Sequence, residues 1–224
     1  VTSLQAVDTM VRAQALAVRG AFHPGPLDGA PKGTGTILMI GPDEPRFWQV
    51  FTAAPEYSDG ADDPMDRWSK RVLWAVAQDL GGRALFPSDG PPYPPFIAWA
   101  QATGACLPSP VGLLVHETAG LFVSFRGAIA LTERLDLPSP APRPCDACAA
   151  PCTTACPVGA LKPGQDYDVP LCQAHVASPD GSDCRAGCLV RRACPVTSSP
   201  STSFSRDPAQ SAFHMASFMR HYPV

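Results

Sequence analysis

Eight of the nine cysteines fall between residues 145 and 194, namely Cys145, Cys148, Cys152, Cys156, Cys172, Cys184, Cys188 and Cys194, and only Cys106 stands apart. A segment so rich in thiols and so poor in large apolar side chains cannot build an ordinary hydrophobic core, so its folding depends on what the sulfurs bind. Residues 145–157 read Cys-Asp-Ala-Cys-Ala-Ala-Pro-Cys-Thr-Thr-Ala-Cys-Pro, a C-x2-C-x3-C-x3-C-P run. Three thiolates on a tight loop can reach three irons of one cube, and a fourth, a turn further on, points toward a different cluster. Ala147, Ala149, Ala150 and Ala155 let backbone N–H groups approach the sulfurs closely, and a proline ends the run.

The run differs by one inserted residue from the C-x2-C-x2-C-x3-C-P run of bacterial ferredoxins. Cys172, Cys184, Cys188 and Cys194-Pro195 supply four more thiolates and the same Cys-Pro ending, across a longer C-x5-C gap. The two-cluster pattern assigns Cys145, Cys148, Cys152 and Cys194 to one [4Fe–4S] cluster and Cys156, Cys172, Cys184 and Cys188 to the other. One cluster beside a degenerate second site is a narrower form of this reading. Structural zinc competes with it, although zinc ribbons favour well-separated C-x2-C pairs. Disulfides also compete, but Cys145, Cys148 and Cys152 are crowded for pairing and nothing suggests secretion.

Composition removes other classes. Hydrophobic residues make up 45%, charged residues 17%, and the net charge is -3, which excludes a disordered acidic tail and a basic nucleic-acid binder. The 27 prolines fall in clusters without a repeat, which excludes a collagen-like chain. No apolar run reaches the roughly 18 residues of a membrane helix, and residues 1–5 carry no basic segment leading into an apolar one. A soluble, cytoplasmic protein without membrane or nucleic-acid partners is the expectation. Two clusters would add negative charge and favour basic partners.

Leu4, Val7, Val11, Ala15 and Val18 recur at helical spacing behind Ser3 and predict a helix over 3–19, ended by Gly20. Thr36–Ile40 reads as a buried strand. Pro45 opens a helix with Phe47, Trp48, Val50 and Phe51 on one face. Asp63 as cap and Pro64 at the first position start another, with the stripe Trp68, Val72, Leu73, Val76 and Leu80, ended by Gly81-Gly82. Five prolines in 87–95 form a rigid loop, and a short helix follows over 96–103. Val111–His116 and Leu121–Leu131 read as a hairpin turning at 117–120. The alternating prolines of 138–144 make a stiff spacer. The expected organisation is an α+β domain over 1–137, the spacer, a dicluster module over 145–200, and a loop and helix over 201–224 that dock back.

The eight-cysteine arrangement behind an α+β domain resembles epoxyqueuosine reductase and the reductive dehalogenases, in which a flavin-reductase-like domain that binds cobalamin precedes a dicluster ferredoxin module. Residues 21–137 are also similar to the cblC-type cobalamin-processing protein, in Ala21-Phe22-His23-Pro24, Asp63-Pro64-Met65-Asp66, His116, Gly120-Leu121-Phe122, Phe125-Arg126-Gly127 and Leu135-Asp136-Leu137-Pro138. The resemblance implies a nitroreductase-like fold, an antiparallel sheet flanked by helices. It also implies single electrons passing through two clusters to a corrinoid (cobalamin) or a flavin (FMN), or to a substrate, in the front domain. A dicluster electron carrier with no catalytic cofactor of its own is the alternative. An electron-donor protein of the flavodoxin or ferredoxin-reductase type and a small-molecule substrate are the implied partners.

Arg126 and His116 are the candidates for touching a cofactor tail or anionic substrate, and Tyr93, Phe96 and Trp99 for walling a pocket. Each has a plain structural alternative: His116 a turn cap, Arg126 an ion-pair partner, Tyr93 and Trp99 core or loop anchors. The chain departs from the resemblance in lacking a D-x-H-x-x-G histidine for cobalt, a Gly-rich dinucleotide fingerprint and a counterpart of the epoxyqueuosine reductase acid. Epoxyqueuosine reduction itself is therefore not expected. Asp62, Asp63 and Asp66 are explained by a helix start, and Cys106 by burial as a small hydrophobe.

Overall fold

A computed structural model describes residues 2–198 and 206–221, which form a mixed α+β protein of two compact units. The first comprises Val1–Cys106 and Ser124–Ala141, the second Leu107–Val123 and Pro142–Val224.

In the first unit, α1 (Leu4–Ala13) starts at Ser3, whose hydroxyl accepts from the Ala6 N–H at 3.1 Å, and buries Val7 and Val11. The helix expected over 3–19 stops six residues early. Ala15 takes a φ of 56° and the chain turns into β1 (Leu16–Phe22), whose apolar residues satisfy a strand period as well as a helical one. Pairing with β2 (Thr36–Pro42) decides between the two, because buried backbone groups on β2 need a ladder partner. Gly20 lies at a bulge with φ 142°; a Cβ there would meet the Thr103 hydroxyl at 2.6 Å.

The helices α2 (Arg46–Thr52), α3 (Pro55–Ser58) and α4 (Pro64–Asp79) follow, and β3 (Arg83–Leu85) is a strand that the sequence pattern does not signal. The α4 stripe Trp68, Val72, Leu73 and Val76 is buried as expected, and Trp68 meets Phe47 and Phe51 edge-on, with centroids 5.4 and 5.9 Å away. Asp63, expected to cap α4, makes no side-chain capping bond and sits at φ 50°, so Pro64 starts the helix by its preset φ alone. After α5 (Phe96–Ala102), the expected hairpin does not form. β4 (Cys106–Pro108) pairs instead with β5 (Leu114–His116), and β6 (Gly127–Leu131) inserts between β2 and β3. The result is an antiparallel four-stranded sheet in the order β1-β2-β6-β3, with Leu38 opposite Ile129 and Ala84 opposite the same residue from the other side. β6 is buried along its whole length, which makes it a central strand rather than one arm of an exposed hairpin.

The second unit gathers Leu107–Val123, residues expected in the front domain, with the cysteine-rich segment. Its core explains the transfer: Val111, Val115 and Leu121 pack with Leu161, Val190, Cys152 and Cys194. The remaining helices are short: α6 (Val169–Ala177), α7 (Ser182–Arg185), α8 (Leu189–Arg192) and α9 (Pro195–Ser198). Helix α10 (Pro208–His221) docks against α7, and the Gln173 amide donates to the Phe218 carbonyl at 3.3 Å. Most of the loop expected at the start of 201–224 lies outside the described residues. Among the described residues no helix is long and apolar enough to cross a membrane.

All four tryptophans (Trp48, Trp68, Trp74 and Trp99) belong to the first unit, so their fluorescence reports that unit alone. Leu38→Ala removes a fully buried side chain from its sheet. It should lower stability by about 2–5 kcal/mol in urea titrations followed by tryptophan emission; a change below 1 kcal/mol would contradict this placement of the core.

Candidate metal centre

Turns and single helical turns present the eight thiols. The Cys148 N–H donates to the Cys145 carbonyl at 3.2 Å, so these two sulfurs share one turn. Cys152 sits in a 3-10 turn, Pro151–Thr153, behind Ala150, whose φ of 52° aims its own N–H at Cys148 Sγ, 3.3 Å away. Cys156 accepts from the Ala160 N–H at 3.2 Å. Cys172 is carried by α6, Cys184 by α7, and Cys188 immediately precedes α8. The long gap between Cys188 and Cys194 is filled by α8, a single turn that carries Arg191 and Arg192.

Cys145, Cys148, Cys152 and Cys194 together line one cavity of about 280 Å³ within this unit. At ~30 Å³ per water that is room for roughly nine waters, more than a packing defect leaves. The wall is otherwise made of small and apolar residues such as Ala147, Ala149, Val115 and Leu121, with one polar exception. The Ser109 hydroxyl also faces the cavity, is buried, and has no hydrogen-bond partner. An orphan hydroxyl costs about 1–3 kcal/mol unless an acceptor meets it. Gly120 takes φ 51°, and a Cβ there would lie 3.0 Å from Cys194 Sγ.

Burial pushes the Cys145 and Cys152 thiols up, and the neighbouring thiols add to it: Cys148 and Cys194 act on both. The other four form a second neighbourhood. Burial raises Cys172, with Cys188, Cys156 and Cys184 adding to the effect, and raises Cys184, with Cys188 and Cys156 adding. The neighbouring Tyr167 hydroxyl and the Leu189 backbone act against burial at Cys172 and Cys184 respectively. The Arg191 guanidinium, lowered from its ordinary value by burial, faces Cys188 and donates to the Leu121 carbonyl. Thiols this desolvated stay protonated at neutral pH until a cation takes the proton's place.

Among the described residues no three His, Cys, Asp or Glu side chains stand close enough to hold a single metal ion. A tetrahedral zinc would draw four sulfurs to roughly 3.8 Å from one another, given Zn–S lengths of ~2.3 Å. Here the first four line the wall of a cavity instead. The cavity leaves room for a group larger than a single ion, and an acceptor atom on such a group would meet the Ser109 donor.

The candidate cofactor residues are divided between the two units. His116 lies in the second unit, 4% exposed, and its Nδ1 accepts from the Thr118 and Ala119 N–H groups at 3.1 and 3.2 Å, the bonds of a turn cap. Trp99 is 1% exposed and donates through Nε1 to the Asp28 carbonyl at 2.6 Å, which makes it a core anchor of the first unit. Tyr93 is 64% exposed on the proline loop, and Phe96 is buried against Trp99. Arg126, also in the first unit, has a buried Nε with no hydrogen-bond partner; burial lowers its pKa, and Asp66 and Glu44 act in the opposite direction. Sequence reasoning missed Ser109, Tyr167 and Arg191. Tyr167 lies only five residues before Cys172, but one hydroxyl in a loop carries no pattern of its own.

Gly120→Ala forces a left-handed alanine and a methyl against Cys194. It should destabilise the second unit by about 1–3 kcal/mol, read by far-UV circular dichroism, with the tryptophan-reported transition unchanged. Compared with protein-family models, curated proteins and solved structures, the chain finds no match in any of the three.

Proposed function

We propose that the second unit is an iron–sulfur electron-transfer module holding two [4Fe–4S] clusters, one on Cys145, Cys148, Cys152 and Cys194 and the other on Cys156, Cys172, Cys184 and Cys188. The observation that carries the reading is the sulfur-lined cavity of about 280 Å³ with its unmatched Ser109 donor. Such clusters take up and release one electron at a time, at potentials set by hydrogen bonds to sulfur, charge and exposure. The chain's own contribution is to present eight thiols, to supply N–H donors from Ala150 and Ala160, and to line the site with Val115, Leu121 and Val190. In this reading the segment is a dicluster ferredoxin-type module, reduced by a flavodoxin or ferredoxin-reductase type of donor in the reducing environment of a cytoplasm.

A second reading makes the protein a reductase whose first unit, a nitroreductase-like or cblC-like domain, binds a corrinoid or flavin that accepts these electrons. The buried, unpartnered Nε of Arg126 favours it, since a bound anionic group would complete that guanidinium. The exposed Tyr93 and the committed Trp99 favour the simple carrier. Anaerobic titration with FMN and with cobalamin separates the two: stoichiometric binding of either establishes the reductase, and binding of neither leaves the carrier.

Protein purified without oxygen should contain about eight irons and eight acid-labile sulfides per chain and a broad absorbance near ~400 nm that dithionite bleaches. A colourless protein with zinc and no iron refutes the proposal. Cys148→Ser should lose about half of the iron and destabilise the second unit, while the tryptophan-reported stability of the first stays as it was. Unchanged iron in this variant would show the ligand set to be wrong.

A further inference from the structure

Ser109 comes from outside the cysteine-rich segment. It opens the turn between β4 and β5, where its carbonyl accepts from the Gly112 N–H at 3.0 Å and its N–H donates to the Leu113 carbonyl at 2.8 Å. Both of its backbone groups are thereby committed, and Gly112 holds the turn at φ 77°. Val111, in the same turn, anchors it in the core with Cys152 and Cys194. The Ser109 residue is 8% exposed and lines the cavity beside Cys145, Cys148, Cys152 and Cys194. Its Oγ is buried and meets no acceptor among the described residues, the four sulfurs included. A hydroxyl held in place by its backbone, shut off from solvent and unmatched by any protein group has one acceptor left to it, an atom of what the cavity holds.

Resting on the cluster reading above, we infer that the Ser109 hydroxyl donates to an inorganic sulfide of the cluster held by Cys145, Cys148, Cys152 and Cys194, and so makes that centre easier to reduce. None of the four cysteine sulfurs accepts from Oγ, so the acceptor belongs to the group that they hold. Reduction brings in one electron from a low-potential one-electron donor; no bond is made or broken, and the hydroxyl keeps its proton. The added negative charge spreads onto sulfur, where a donor already in place stabilises the reduced state more than the oxidised one, and the potential rises. The remaining wall is small and apolar, with Ala147, Ala149, Val115 and Leu121, so one such bond counts for more there than it would in water. The Ala150 N–H, 3.3 Å from Cys148 Sγ, is backbone and stays in any side-chain variant. Ser109 is the donor that a single-atom deletion removes. The electron affinity of this centre is thus set in part by the stretch Leu107–Val123, well before the first of its cysteines.

The test is an anaerobic potentiometric titration of the full chain with its clusters, using dithionite as reductant and electron paramagnetic resonance as readout, beside iron and sulfide analysis. Cys148→Ser identifies the reduction step of this centre as the one that it abolishes. Ser109→Ala, which takes away the hydroxyl and almost no volume, should lower that step while iron and sulfide content stay as in the wild type. Ser109→Thr, which keeps a hydroxyl, should hold the step close to its wild-type position. In deuterated buffer the reduced wild type should show an exchangeable-deuteron coupling that Ser109→Ala lacks. The inference is overturned if Ser109→Ala leaves the step in place or moves a different one, or if Ser109→Thr falls as far as the alanine variant. Loss of iron from Ser109→Ala also overturns it, because the side chain would then be a ligand or a structural support. Wild-type protein without iron and sulfide would instead overturn the underlying cluster reading.

Discussion

The second unit is organised by desolvated sulfur. Its core holds Cys152 and Cys194 among Val111, Val115, Leu121, Leu161 and Val190, with Cys145, Cys156 and Cys188 packed at its margin. A core in which cysteines stand where leucines usually do buries little apolar area, and its helices, apart from α6 and α10, are single turns. Helices this short are marginal in water and take their stability from what they pack against. On the proposed reading, ligation of the thiols would be a folding energy as much as a functional device, because an unfolded chain has no site to offer.

The same constraint explains the local oddities. Ala150 accepts a left-handed backbone and Gly120 must be glycine, since both lie where the chain passes close to a sulfur. Ser109 keeps a buried hydroxyl that nothing in the polypeptide satisfies. Costs of this kind persist where a surrounding structure or a ligand compensates them, and in this chain they gather around one cavity.

How much of this was legible in the residues differs between the two units. The division of the eight cysteines into two sets of four comes from the two-cluster pattern and stays a proposal, although burial and neighbouring thiols act together within each set. The start of α4 and the strand β2 were also readable, because Pro64 and the run Ile37–Ile40 leave few alternatives. What local pattern could not supply was partnership. Residues 15–18 suit a helix or a strand, and only β2 decides between them. β3 has three residues and no alternation to announce it, and β6 was assigned the wrong partner because neighbouring apolar runs look like a hairpin wherever a glycine separates them. Tyr167 and Arg191 were hidden for a related reason: the fold, and not sequence distance, sets them beside the thiols.

The chain enters the second unit at Leu107, returns to the first at Ser124 and leaves again only after Ala141. Val111, Val115 and Leu121 on that early excursion supply much of the apolar packing around the later cysteines. The thiol-rich half is thus no portable cassette. Cutting at the proline spacer would free a cysteine-bearing fragment stripped of its lining, and would leave the other fragment with an unpartnered oily tongue. Gene shuffling could exchange such a module only by carrying both stretches together.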